Sequence, residues 1–448
     1  MIMNRRNLIR SLAAAPALRT LVSPAIHAGE TSSQPLIGPR ERIVFFGDSI
    51  TQGGAYVAHL ETLLRLRFPA SAIEIHNHGI SSETISGTSE PDHDPRRPWA
   101  HERFARDVAE WHPTLLFSCF GMNDGNYHPF EEDRFSKYVE GVNRLIERAK
   151  GEARVQRLIL CTPPPFDPYQ RKNGDPKAVH YGYKYPAVNY DDTLGRYAQW
   201  LLSLREQGQT VADLHGPMNR HLAKRREQRV SFTLMPDAVH PDATGHAVMA
   251  IVLAGQIGLT GPRATISIDG NLEAARIDRG SVVDSKKLDQ VLELALALPV
   301  PWRFGAGVDQ ESIHLESVAD RFDAISIRLE TPPESIFELT FQADSNAEPV
   351  VRKVSGLELS RGISVIMPEN PGSASFQAGE KLAEAVMKHR QSASAQWRGR
   401  AMKLPKDAEE RGPQLEELAT EAAAAAELSK LAATPVPGAR LKIRRLPA

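Results

Sequence analysis

No run of apolar residues in this chain approaches the ~20 that a membrane helix needs, so stable membrane insertion is not expected. Charge of one sign is also missing: 54 Lys+Arg face 55 Asp+Glu, a net charge of −1. That removes the basic footprint of a nucleic-acid partner. Cysteine is nearly absent, with Cys119 and Cys161 the two in 448 residues. Each falls in an apolar strand-like segment, and the two strands are expected to be neighbours. Buried free thiols suit them better than a bond, although an even pair leaves a disulfide open. No residue cluster has the spacing of a metal site. Asp92-His93-Asp94 has the residue types, but reads as solvated side chains, so neither metal nor cofactor is expected. What remains is an ordinary soluble composition, 41% hydrophobic and 24% charged, long enough for two domains.

From residue 43 to 259 the pattern alternates between short apolar strands and amphipathic helices. The strands are 43–46, 72–77, 114–120, 157–162 and 210–213, and the helices 56–68, 99–111, 131–150, 190–207 and 243–257. Strand, crossover and strand repeated in this way predict a parallel sheet with right-handed crossovers. The expected fold is α/β, a flavodoxin-like three-layer parallel sheet of strand order 2-1-3-4-5.

The first strand runs Ile43-Val44-Phe45-Phe46 and ends abruptly in Gly47-Asp48-Ser49, with Gly53-Gly54 just beyond. A serine at the C-terminal end of such a strand sits where open α/β sheets hold ligands. The helix opening there also offers backbone N–H groups to a developing negative charge. Three more blocks follow: Asn77-His78-Gly79-Ile80-Ser81 after the second strand, Gly121-Met122-Asn123-Asp124 after the third, and Asp237-Ala238-Val239-His240-Pro241. In this order the four blocks resemble the SGNH (GDSL-type) hydrolases, over roughly residues 40–260. Block by block, the resemblance implies Ser49 as nucleophile and Asp237 and His240 as the rest of a triad. It implies an oxyanion hole from the N–H groups of Ser49 and Gly79 and the side-chain amide of Asn123.

The chemistry is coherent by itself. A serine hydroxyl needs an adjacent base, a histidine can take and return its proton, and a carboxylate fixes the imidazole tautomer. Asp237 and His240, three apart, can share one face of a single loop. The absence of Gly-x-Ser-x-Gly argues against the α/β-hydrolase nucleophile elbow. Taken singly, Asn123 also suits a helix N-cap, Gly79 a turn, and Asp237 and His240 a polar helix entry before Pro241. The bland readings must all hold together at successive strand ends.

Two insertions interrupt the framework, residues 87–98 and 163–190. The second carries Tyr169, Tyr181, Tyr183, Tyr185 and Tyr190, five of nine tyrosines, a content that argues against disorder. Both leave the C-terminal ends of strands and should overhang the site. Asp48, Trp99, Tyr181, Tyr183 and Tyr185 are the candidate substrate contacts, with Arg96 and Arg97 adding polar groups nearby.

The N-terminal Asn4-Arg5-Arg6-Asn7-Leu8-Ile9-Arg10 resembles a bacterial twin-arginine signal, so residues 1–28 are expected to be an export signal and the protein periplasmic or extracellular. Residues 37–262 form the expected catalytic domain. It should fold and work alone, since every candidate catalytic residue lies inside it. Residues 263–448 read as a smaller β-rich domain, with strands near 264–269, 323–330, 335–342 and 440–446 and an apolar segment at 288–299. Helices are expected at 375–402 and 413–433, and turns at 356–363 and at Asn370-Pro371.

The chain therefore reads as an exported serine ester hydrolase working through an acyl-enzyme. Tyrosine faces with hydroxyl edges suit sugar rings, so short acyl groups, acetyl first, on carbohydrate or similar polar esters are expected. The alternatives are a lysophospholipase- or arylesterase-type hydrolase and, from another class, a non-catalytic glycan-binding protein on the same scaffold. Oligomeric state stays open.

Overall fold

In a computed structural model, the described residues are 36–447, apart from positions 70, 92, 172–173, 186, 346, 368–369 and 404–411. The expected export signal lies outside them. Five parallel strands, β1 (Arg42–Gly47), β2 (Glu74–Gly79), β3 (Leu115–Cys119), β4 (Arg157–Cys161) and β5 (Thr210–Ala212), form a sheet of order β2-β1-β3-β4-β5. Both faces of a parallel sheet are covered, so its strands are apolar throughout. Phe45, Leu115, Phe117 and Ile159 look to one side and Val44, Phe46, Leu116 and Leu160 to the other. Cys119 and Cys161 stand opposite each other in register as buried free thiols. Burial pushes the Cys161 thiol up to about 12.

The short α1 (Ser49–Gly53) leaves β1 directly, and α2 (Ala55–Arg67) follows. The expected helix 99–111 is broken into single turns around α3 (Phe104–Asp107). There Arg103 and Arg106 turn inward, onto Glu83 and Asp107. Next come α4 (Glu132–Gly151), α5 (Tyr181–Lys184), α6 (Tyr190–Ser203), α7 (His215–Gln228) and α8 (Ala243–Gln256). α2 and α8 pack on one face of the sheet, α4 and α6 on the other.

Beyond α8 come β6 (Ala264–Ile268), β7 (Ala275–Ile277), β8 (Ser281–Leu288), β9 (Val291–Leu298), α9 (Gln310–Leu315), β10 (Ile325–Leu329), β11 (Ile336–Gln342), β12 (Val350–Ser355), α10 (Gly356–Arg361), β13 (Ile363–Val365), α11 (Ala374–Ala401), α12 (Gly412–Ala433) and β14 (Val436–Arg445). The strands make two sheets, β13-β10-β6-β7 and β12-β11-β14-β9-β8, closed over a shared core of Ile266, Leu294, Ile327, Leu339 and Ile443. Segment 356–363, read as turn chemistry, begins with the helix α10. Ser355 and Glu358 form a reciprocal capping box at its start, a local pairing that the flanking glycines disguise.

The two long C-terminal helices, grouped by sequence with the β-rich region, lie on α2 and β2 instead. Every residue of α2 from Tyr56 to Leu66 is therefore buried, as a helix packed on all sides must be. Its two buried charges are paired: Arg65 donates to Glu61 at 2.6 and 2.9 Å and to Ala425 O and Ser429 Oγ at 3.1 Å. From α11, Arg390 donates to Glu61 and Glu421, each at 2.9 Å, and to Ile75 O.

Candidate active site

At the end of β1 the chain must turn sharply. A Cβ on Gly47 would lie 2.3 Å from Thr51 Oγ1 and 2.6 Å from Cys119 O, so only glycine fits. Asp48 then caps α1, its carboxylate accepting the Ile50 N–H at 2.9 Å. Ser49 follows at the first position of the helix, half-buried. Its Oγ is 2.9 Å from His240 Nε2, and His240 Nδ1 is 2.7 Å from Asp237 Oδ2. The sequence-predicted triad residues are thus brought into one line, although 191 positions separate Ser49 from His240.

The loop carrying Asp237 and His240 is held from both sides. Asp237 Oδ1 accepts the N–H groups of Val239 and His240 at 2.9 and 2.7 Å. Partial burial works to raise the Asp237 pKa, but the His240 backbone and side-chain bonds outweigh it, and the carboxyl lies below its usual range. Between them Ala238 sits in the left-handed region (φ 78), fully buried. From the second insertion, Asp167 N donates to Ala238 O at 2.9 Å, while the Asp167 carboxylate accepts Thr233 Oγ1 at 2.6 Å and Arg226 at 2.5 Å. Asp167 anchors the loop, and nothing in its local sequence marks it.

Two expected contacts are corrected. The Gly79 N–H is committed to Asn77 Oδ1 at 3.0 Å, and a Cβ at 79 would meet Gln52 N at 2.2 Å. Gly79 lets β2 approach α1, and its N–H is not offered to a ligand. The spacing Asn77-x-Gly79 is that of an Asx turn, a signal legible in the sequence. Three residues on, Ser82 adopts φ 60, and its N–H has no acceptor among the described residues. Asp48 cannot touch substrate either, being 2% exposed behind α1. Burial pushes its pKa up to about 8 against the Ile50 bond, with Asp124 and Glu83 adding repulsion. Burial likewise lifts Asp124 to about 6 and raises Glu83.

Asn123 is buried beyond β3 with its amide held on both atoms. Nδ2 donates to Glu83 O at 3.1 Å, leaving one N–H free, while Oδ1 accepts Tyr127 Oη at 3.3 Å and Arg97 at 3.5 Å. Tyr127, missed by sequence reasoning, is buried at φ 60. Arg97 in turn is neutralised by Glu90 at 2.8 and 2.9 Å.

Of the other candidate substrate contacts, Trp99 is half-buried, its Nε1 donating to Ile85 O at 3.1 Å. It lines an open cavity of about 390 Å³ with Ser86, Gly87, Arg96, Arg97 and Glu102. Tyr181 stacks on His128 (4.0 Å between centroids) and meets Tyr185 at a tilt (4.7 Å, 46°), and Tyr185 is exposed. Tyr183 lies in α5, its side chain outside the described set. Tyr190 is a packing residue, buried with its hydroxyl on Met122 O at 2.7 Å. Among the described residues no group of three or more His, Cys, Asp and Glu is placed to hold a metal.

A flavodoxin-like layer with serine, imidazole and carboxylate aligned at the sheet's C-terminal edge defines the class of site. Residues 45–248 match the GDSL-like Lipase/Acylhydrolase family, which supports reading this part of the chain as a domain of the SGNH hydrolase type. It is 23% identical over 244 residues to an acetylxylan esterase of Geobacillus stearothermophilus, across 50% of this chain and 96% of the relative. A solved structure of a gut microbial diltiazem-metabolizing enzyme superposes with a TM-score of 0.62 at 18% identity, covering 92% of this chain and 98% of that one. The shared fold therefore includes the β-rich part.

Proposed function

We propose that the protein is an exported serine ester hydrolase that removes short acyl groups, acetyl first, from carbohydrate or similar polar esters. The observation carrying this reading is the line Ser49 Oγ, His240, Asp237, at 2.9 and 2.7 Å. In the proposed reaction Ser49 Oγ attacks the acyl carbon while His240 Nε2 takes its proton. Asp237 holds the imidazole tautomer and stabilises the imidazolium. The tetrahedral oxyanion meets the N–H of Ser49, the free N–H of Asn123 and, in place of Gly79, the N–H of Ser82. His240 then returns the proton to the leaving alcohol, and a water repeats the sequence to release the acid.

Acetyl as the acyl group is supported by the similarity to an acetylxylan esterase and by the polar cavity beside Asn123. Export rests on the Arg5-Arg6 segment, and fractionation of the producing cells tests it. Fluorophosphonate labelling tests the chemistry: Ser49 should be the modified residue, and acetate should be released from acetylated xylan. No label at Ser49 would favour the glycan-binding alternative. Cleavage of octanoyl over acetyl esters would favour the lipid ester.

A further inference from the structure

We infer that the cavity between the first insertion and Asn123 seats the alcohol part of the ester, and that Arg96 selects there for a sugar bearing a carboxylate, a uronate. The inference rests on the ester-hydrolase reading and adds its substrate class.

The cavity's volume, about 390 Å³, falls within the roughly 300–1,000 Å³ of small-molecule sites. It is connected to Asn123 through one of its lining residues. Its wall residue Arg97 reaches Asn123 Oδ1 at 3.5 Å, and Ser86 N donates to the neighbouring Asp124 at 2.8 Å. One wall is the Trp99 indole, held by its Nε1 bond to Ile85 O and backed by the Arg144 guanidinium at 5.1 Å. Gly87, at φ 73, lies against the indole, where a Cβ would press on it at 3.1 Å. An indole beside polar groups matches a sugar, with its apolar ring faces and hydroxyl edges.

Three charged side chains line the space, and they are not equivalent. Arg97 is buried and neutralised by Glu90. Glu102 is engaged within the fold. Arg96 is exposed and has no ion-pair partner among the described residues. A guanidinium left over at the rim of a polar cavity pairs best with a planar carboxylate, which it can bind through two parallel hydrogen bonds.

The test compares wild type with Arg96→Ala on acetylated galacturonate oligomers and acetylated xylo-oligomers, alongside galacturonate titrated into Ser49→Ala and Ser49→Ala/Arg96→Ala. Wild type should favour the acidic ester, and Arg96→Ala should lower the acid-over-neutral ratio of kcat/KM about tenfold. Galacturonate should bind Ser49→Ala and not the double variant. An unchanged ratio, or galacturonate binding indifferent to Arg96, overturns the inference. If no ester is cleaved but galacturonate binding still depends on Arg96, the hydrolase reading fails and the subsite stands.

Discussion

Two clusters of buried charge, one against α2 and one around Asp48 at the end of β1, behave oppositely. In the clamp formed by α2, α11 and α12, two carboxylates meet two guanidinium groups. Burial works against ionisation there, yet the Arg390 charge holds both Glu61 and Glu421 below their usual range. Beneath the site, Asp48, Glu83 and Asp124 repel one another, with Arg103 given to Glu83 and Asp107. There burial wins, and all three carboxyls are raised. The same physical cost of removing a carboxylate from water thus tightens one region and loads the other. The clamp serves stability, whereas the strand-end cluster carries strain next to the chemistry, as functional sites commonly do.

That contrast breaks most directly if a site variant unfolds the protein or a clamp variant leaves it stable. Ser49→Ala should lower kcat by at least about ten-thousandfold and His240→Ala by a similar amount, since triad members act as a unit. Melting temperature should stay within about 3 °C of wild type, because Ser49 is half-buried and leaves no large cavity. Activity on an acetyl ester within tenfold of wild type would remove Ser49 from the mechanism.

On the other side, Arg390→Met removes the guanidinium shared by Glu61 and Glu421, leaving Glu61 to Arg65 and Glu421 to His389, and should cost about 3–5 kcal/mol in a denaturant titration. Truncation after residue 262 removes Arg390, Glu421 and the helices covering α2 together. The fragment 37–262, self-sufficient by sequence, is now expected to be insoluble or inactive. A soluble, active fragment would show that the clamp is dispensable.

Titration sharpens the comparison. The folded Asp48 pKa of about 8 lies above its ordinary 3.8. Its contribution is therefore most favourable below that ordinary value and is lost as pH rises toward 8. Asp48→Asn keeps an acceptor for the Ile50 N–H but cannot ionise. It should raise stability at pH 8 by about 1–3 kcal/mol and change little at pH 4. Glu421 runs the other way: its folded pKa is lowered, so its contribution is present above the ordinary 4.5 and lost as pH falls. Glu421→Gln should accordingly destabilise at pH 7 and less so in acid. Unfolding curves of both variants across pH 4–8 decide, and parallel profiles would erase the distinction.

The smallest effect is expected at Tyr127. Tyr127→Phe removes one hydroxyl from Asn123 Oδ1 and should lower kcat about threefold to tenfold, with KM unchanged, for a loss of about 1 kcal/mol. A change in KM alone would make Tyr127 a substrate contact instead.

Much of the α/β layer was legible because its strands are short apolar runs and most of its helices carry one apolar stripe. α7 was missed: His215–Gln228 buries only Met218, His221, Leu222 and Arg225, and its Gly, Pro and Arg residues blur the period. The edge strand β8 was missed because nearly all of it is exposed and polar, as an unpaired edge tends to be. In the site, Ser49 and the Asp237-x-x-His240 pair were legible as residue types in a spacing. Tyr127 and Asp167 were not, since each acts on a residue brought near only by folding.

By itself the sequence determined the alternation of strands and helices that builds the parallel layer, and it marked Ser49, Asp237 and His240 as candidates, because hydrophobic period and motif spacing are local properties of the chain. Only the tertiary structure decided that the Gly79 N–H is spent on Asn77, that Asp48 lies behind the helix it caps, and that the C-terminal helices belong on α2. Those outcomes depend on which partner each polar group finds and how much water it loses. Both are set by contacts between distant parts of the chain: Arg390 and Glu61, which close the clamp, lie 329 positions apart.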